Sequence, residues 1–131
     1  KLRGEAADFV AGMCPYPATE LRPKLWNHCS RITLVSKRCC ERVTLDIDLA
    51  FSWDKELAVL PGIVVAEVKY EGHRQDSQFI QLMRRLNVRE TSFSKYCIGV
   101  SMLYPEVKRN KFKAKLRTVA RLAQGGNGGI V

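Results

Sequence analysis

The residues of this chain best suited to chemistry are charged side chains spaced two apart within alternating segments. Arg31 lies in S-R-I-T-L, Arg42 and Asp46 in R-V-T-L-D-I-D-L, Glu67 and Lys69 in V-V-A-E-V-K-Y, and Ser94-Lys95 in F-S-K-Y. Residues two apart in a strand share a face, so one face of a sheet built from these segments carries too much charge to be a core. It must meet water, a partner or an anionic ligand. A phosphate chain is held best by arginine forks, with lysine as a movable point charge, and Arg31, Arg42, Lys69 and Lys95 supply that mixture. Triphosphate chemistry also needs a hard divalent metal, which takes carboxylate oxygen; Glu67 is best placed for it and Asp46 second. Ser94-Lys95 at a helix start adds free N–H groups that suit an anion. Phosphoryl transfer asks mainly for positioning and charge stabilisation, so no separate nucleophile is required. The same charges also fit cross-strand ion pairs on the wet side of a sheet, which contribute little energy. Spacing alone leaves both readings open.

The elements that must carry these residues are legible from periodicity. A helix is expected from about Leu2 to Met13, with Phe9, Val10 and Met13 as apolar contacts, until P-Y-P stops it. Leu25 to Ser36 reads as extended, and Lys37 to Glu41 as a hairpin connection. In the next strand Val43, Leu45, Ile47, Leu49 and Phe51 alternate with Arg42, Thr44, Asp46 and Asp48, predicting one oily and one polar face. Pro61-Gly62 breaks before a third strand, Ile63 to Tyr70, with Val64, Ala66, Val68 and Tyr70 opposite Glu67 and Lys69. After Glu71-Gly72 the period turns helical, with Phe79, Leu82, Met83 and Leu86 as one buried stripe. Ser92 or Ser94 caps a second helix that runs to Pro105.

The segment from Glu106 to Ala123 holds seven basic residues and one acid, with Phe112, Leu116, Val119 and Ala123 as a narrow apolar stripe. By default that stripe docks on the sheet and leaves the charges in water; contact with anionic lipid or nucleic acid is the alternative. The fold class is α+β, antiparallel β followed by α, with residues 1–124 as one domain and the glycine-rich 125–131 as a flexible tail.

At 131 residues and 46% hydrophobic content the chain can build an ordinary core, and its net charge of +9 asks for an anionic partner. Five cysteines without a C-x-x-C suggest neither a disulfide framework nor a redox motif and favour a reducing, cytoplasmic setting. His28, Cys29, Cys39 and Cys40 lack the paired spacing of a usual zinc site, so free thiols are expected. No run of about 18 apolar residues or signal-peptide pattern occurs. Neither His28 nor His73 sits in a hydrolase arrangement, and no zinc finger, Walker or ribonucleoprotein motif supports sequence-specific nucleic-acid reading. Opening without methionine, inside a helical segment, the chain reads as an excised piece.

The succession S-R-I-T-L, R-V-T-L-D-I-D-L, V-V-A-E-V-K-Y and T-S-F-S-K-Y-C-I-G-V, spanning Leu25 to Leu103, resembles the VTC (vacuolar transporter chaperone) domain, the polyphosphate polymerase branch of the triphosphate tunnel metalloenzymes. The resemblance implies an antiparallel β-barrel whose polar tunnel binds triphosphate, magnesium or manganese, and growing polyphosphate. It implies tunnel arginines at Arg31 and Arg42, a metal-binding Glu67 in an E-x-K strand shared with Lys69, and phosphate contacts at Ser94 and Lys95. Arg42, Glu67 and Lys95 are then the residues expected to serve catalysis, and the oily strand face is expected to point outward to helices. ATP and inorganic polyphosphate are the implied partners, with ATP:polyphosphate phosphotransfer as the activity of the parent protein. Two departures stand out. The family's N-terminal half, with its E-x-E-x-K strand, is missing, so only part of the tunnel wall is expected and the piece alone is expected to be inactive. Its barrel would close with that missing half or by self-association through exposed strand edges. A lysine often found just before F-S-K is Ser92 here. Triphosphate hydrolysis and a non-catalytic module binding polyphosphate or nucleic acid through the basic helix remain the alternatives.

Overall fold

The computed structural model describes residues 2–124 and 129–130. Its centre is a pair of long strands, β1 (Trp26–Val35) and β2 (Glu41–Trp53), joined by a turn in which Ser36 Oγ accepts from the backbone N–H groups of Arg38 and Cys39. β3 (Glu56–Leu60) pairs antiparallel with the second half of β2, and β4 (Ile63–Tyr70) with its first half, so both lie along one edge of β2. The break between them is Pro61-Gly62, with Gly62 at φ 70°, a left-handed conformation that glycine adopts without strain. The result is a mixed α+β fold with a four-strand antiparallel sheet. Among the described residues the sheet is open and β1 forms its outer edge, so no barrel closes.

A β-bulge in β2 decides which residues share a face. Ser30 pairs with Ile47 but His28 pairs with Ala50, so Cys29 alone stands opposite Asp48 and Leu49. Asp48 takes φ 55°, the left-handed conformation that aspartate tolerates better than most side chains. One extra residue reverses the alternation beyond it. Leu49 and Phe51 therefore lie on the face of Arg42, Thr44 and Asp46, not with Val43, Leu45 and Ile47 as strict alternation predicts. That face is charged at one end and apolar at the other.

The apolar end is the core. Leu49, Phe51, Leu60, Ile63 and Val65 from the sheet pack with Ile98 of α3 (Lys95–Leu103) and Val119 of α4 (Lys113–Gln124). Fully burying each such side chain contributes about 1.5–3 kcal/mol. α3 comes very close to the sheet at Gly99, where an added Cβ would stand 2.6 Å from the Phe51 ring. α4 docks by its predicted stripe, with Leu116, Val119 and Ala123 at the core while Lys113, Arg117 and Arg121 stay exposed.

The helices thus cover the apolar half of the charged face, and the expectation that they cover the opposite face is corrected. That face leaves Ile32 and Leu34 exposed. α2 (Gln78–Arg85), capped by Ser77 Oγ accepting from Ile80 N, lies on this side of the sheet. Between α2 and Ala66, Val68 and Tyr70 lies a groove of about 1080 Å³ lined by Phe79, Ile80 and Met83. The stripe predicted on this helix is not buried as a unit, because Leu82 and Leu86 face solvent. α1 (Glu5–Met13) ends before Pro15 as expected, yet buries no residue, and Phe9 and Met13 are exposed. The segment expected to be a tail lies largely outside the described residues; within it, β5 (Gly129–Ile130) pairs parallel with Ile63 and Val64.

Candidate functional site

The charged end of the sheet face is built from three cross-strand rungs. Arg31 of β1 stands opposite Asp46 of β2, Arg42 of β2 opposite Lys69 of β4, and Thr44 opposite Glu67. Opposed residues point to the same side of an antiparallel pair. Arg31, Thr33, Arg42, Thr44, Glu67 and Lys69 accordingly line a single polar cavity of about 220 Å³. Three cations against one carboxylate give that lining a net positive charge.

Asp46 lies just behind the cavity and is 1% exposed. Its carboxylate accepts from Arg31 in the two-pronged geometry that favours arginine, Nε to Oδ1 at 2.6 Å and Nη2 to Oδ2 at 2.8 Å. From the other side Lys95 Nζ meets Oδ2 at 2.5 Å. The hydrogen bonds from Arg31, ahead of those from Lys95 and against the opposing effect of burial, hold the Asp46 carboxyl down at about 2. The same bonds push the Arg31 guanidinium further above its ordinary value. Asp46, the second carboxylate considered for a metal, therefore has both oxygens occupied by protein cations.

Lys95 reaches this point because of how α3 begins. Ser94 is the N-cap, its Oγ accepting from Cys97 N at 3.3 Å, and Gly99 seats the helix on Phe51. The first residue of the helix then falls at the seam between the apolar and charged ends of the sheet face. Ser94 does not line the cavity; its hydroxyl oxygen serves the cap and its proton stays available to an acceptor.

The ion-pair reading of these charges meets a mixed result. Arg31–Asp46 is a cross-strand pair, but Glu67 pairs along its own strand with Lys69, Oε1 to Nζ 3.3 Å. Arg42 has no side-chain hydrogen bond or ion pair among the described residues. It faces a lysine instead, an arrangement that costs energy in the free protein.

Sequence reasoning thus placed Arg31, Arg42, Glu67 and Lys69 in one group, which the structure brings to one cavity, with Lys95 joined to it through Asp46. It passed over Thr33 and Thr44, which also line the cavity, Thr44 Oγ1 donating to the Glu67 carbonyl at 3.5 Å. The available signal was their parity with Arg31 and Arg42. Among the described residues no three of His, Cys, Asp and Glu cluster, so the cavity offers a metal one carboxylate, Glu67. All five cysteines are free, and His28 Nε2 lies 3.2 Å from Ser52 Oγ. No helix of the described residues is long and apolar enough to cross a membrane.

Comparison with protein families matches the VTC domain over residues 15–104, most of the chain and every residue of the cavity. No curated protein and no solved structure gives a match.

Proposed function

Because the chain belongs to the VTC domain family, we propose that it supplies the phosphate-gripping wall of a metal-dependent polyphosphate polymerase of the triphosphate-tunnel type, as the C-terminal part of that domain. The observation that carries this reading is the direct opposition of Arg42 and Lys69 in the lining of a cavity that also holds Arg31. Arg42, held against a second cation and given no acidic partner of its own among the described residues while Glu67 serves Lys69, makes a poor solvated surface and a good seat for an anion whose oxygens bridge the two cations. A cavity of about 220 Å³ is smaller than the roughly 300–1,000 Å³ of typical small-molecule sites. It suits phosphate groups, not a whole nucleotide.

In this reading Arg31 and Arg42 fork onto phosphate oxygens, Lys69 and Lys95 add point charge, and Ser94 donates its hydroxyl proton near the helix start. One carboxylate beside bound phosphate is an ordinary donor set for magnesium, which keeps most of its ligands as water and phosphate oxygen; Glu67 would hold magnesium or manganese here. Such a metal neutralises phosphate oxygens when bound. The transfer itself is balanced without a protein nucleophile: a terminal oxygen of polyphosphate bonds to the γ-phosphorus of ATP, the bond to the β-phosphate oxygen breaks, and ADP leaves. The cations oppose the charge that builds on the equatorial oxygens. The open sheet is closed by the remaining half of the domain or by a second copy along the β1 edge. A cytoplasmic location accompanies this reading, since ATP is the donor.

The test is turnover by the complete parent protein. Arg42→Ala and Glu67→Ala are expected to abolish it, and intact turnover in both would end the assignment. Long polyphosphate as product supports the polymerase; free phosphate alone would move the protein to the triphosphate-hydrolysing alternative.

A further inference from the structure

We propose that Asp46 is a positioning residue for this site: it binds neither phosphate nor metal but fixes Arg31 and Lys95, from two different elements, in the orientation in which they receive phosphate oxygens. The inference rests on the phosphate reading above and extends it to a residue behind the cavity.

Three observations lead here. Asp46 is almost completely buried, and a buried carboxylate persists only when paired and hydrogen-bonded. Its partners are not equally buried: Arg31 is 50% exposed and Lys95 16% exposed. The carboxylate is hidden while both cations retain an accessible side. Finally, donors remain. A guanidinium has five N–H groups, of which two bonds to Asp46 leave three, and an ammonium has three, of which one leaves two. Both oxygens of Asp46 are engaged by these cations, while each cation keeps donors to spare.

A long side chain that must be ordered at the moment of binding loses rotamer freedom then, at about 0.5–1.5 kcal/mol each. Asp46 orders both before the ligand arrives. It also ties β1, β2 and the start of α3 to one point, so the distance between the two cations is set by the fold. This role and a simple counter-charge role predict opposite signs. If Asp46 matters only as negative charge beside the site, neutralising it raises the positive potential and tightens anion binding. If it positions, neutralising it loosens binding despite the gained charge.

The experiment measures inorganic tripolyphosphate binding by the whole chain, its Asp46→Asn variant, the double variant Arg31→Ala/Lys95→Met, and the triple variant. Positioning predicts that Asp46→Asn weakens binding between about tenfold and about a hundredfold. It also predicts that the substitution adds no further loss once Arg31 and Lys95 are gone, which a merely structural role would not do. Equal or tighter binding in Asp46→Asn would overturn the positioning role while leaving the phosphate reading in place. Failure of the unaltered chain to bind would overturn both. If Asp46→Asn does not fold, nitrogen-detected hydrogen exchange on the unaltered chain decides: the Arg31 Nε–H is expected to exchange much more slowly than that of Arg42, and equally fast exchange would overturn the proposal.

Discussion

Arg42 and Lys69 stand directly opposite each other on β2 and β4, and Arg42 has no acidic partner among the described residues. This relationship separates a binding surface from an ordinary solvated sheet. Removing a cation from an ion-pair ladder weakens the fold; removing one from a repelling pair strengthens it. Arg42→Gln is therefore expected to raise the stability of the free chain by about 0.5 kcal/mol while removing tripolyphosphate binding. Denaturant unfolding with and without tripolyphosphate measures both, and a loss of stability on substitution would count against the opposed-pair account.

Acid should act through Asp46. Its folded-state value of about 2 lies below the ordinary 3.8, so the unfolded chain binds its proton first as pH falls. The stability this linkage supplies, about 2 kcal/mol, is complete above about pH 4 and drains away as pH drops through about 2. Asp46→Asn should show a flatter stability profile across that window. Identical profiles for the two proteins would mean that the Arg31–Asp46–Lys95 cluster is not formed in solution.

Gly99 should not accept a side chain. A Cβ at this position would meet Phe51 Cδ1 at 2.6 Å and Cγ at 2.8 Å, both in a fully buried ring that has little room to move. Gly99→Ala is expected to cost about 1–3 kcal/mol by overpacking. Because α3 also delivers Lys95, the variant should weaken tripolyphosphate binding as well as lower the melting temperature. An unchanged melting temperature would show that α3 sits further from the sheet.

The positions of β1, β2 and β4 and the grouping of the charged residues on one face were legible because a period of two survives in sequence wherever one face is charged, whereas β3 (Glu56–Leu60), short and pressed between two turns, was not anticipated. Arg42, Glu67 and Lys69 could be placed on one face by counting, and the Pro61-Gly62 break and the Ser94 cap are local signals. What counting could not deliver was Asp48. A left-handed aspartate inside a strand leaves no mark in hydrophobic pattern, yet it moves Leu49 and Phe51 onto the face of Asp46 and so decides where the helices dock. The joining of Lys95 to Asp46 was hidden for the same reason, since it depends on α3 lying over the apolar end of that face. α1 and α2 show the opposite failure: their apolar stripes predict burial, yet Phe9 and Met13 of α1 and Leu82 of α2, with Leu86 at its end, are exposed.

The basic helix α4 should be a bystander for phosphate chains. Its apolar residues are committed to the core, while Lys113 and Arg117 point to solvent away from the cavity lining. Replacing Lys111, Lys113 and Arg117 together by alanine is expected to change tripolyphosphate affinity by no more than about twofold and to reduce the salt-sensitive attraction to duplex DNA. A loss for tripolyphosphate larger than that of Arg42→Ala would favour the non-catalytic module in which α4 is the binding element.

The central claim is that the charged sheet face, and not the overall positive charge, binds phosphate chains. It is tested most directly by calorimetric titration of the chain with tripolyphosphate, with and without manganese, beside Arg42→Ala and a duplex DNA control. The account predicts saturable binding that manganese strengthens and Arg42→Ala removes. Weak heats with both anions, collapsing as salt rises and indifferent to Arg42, would contradict it.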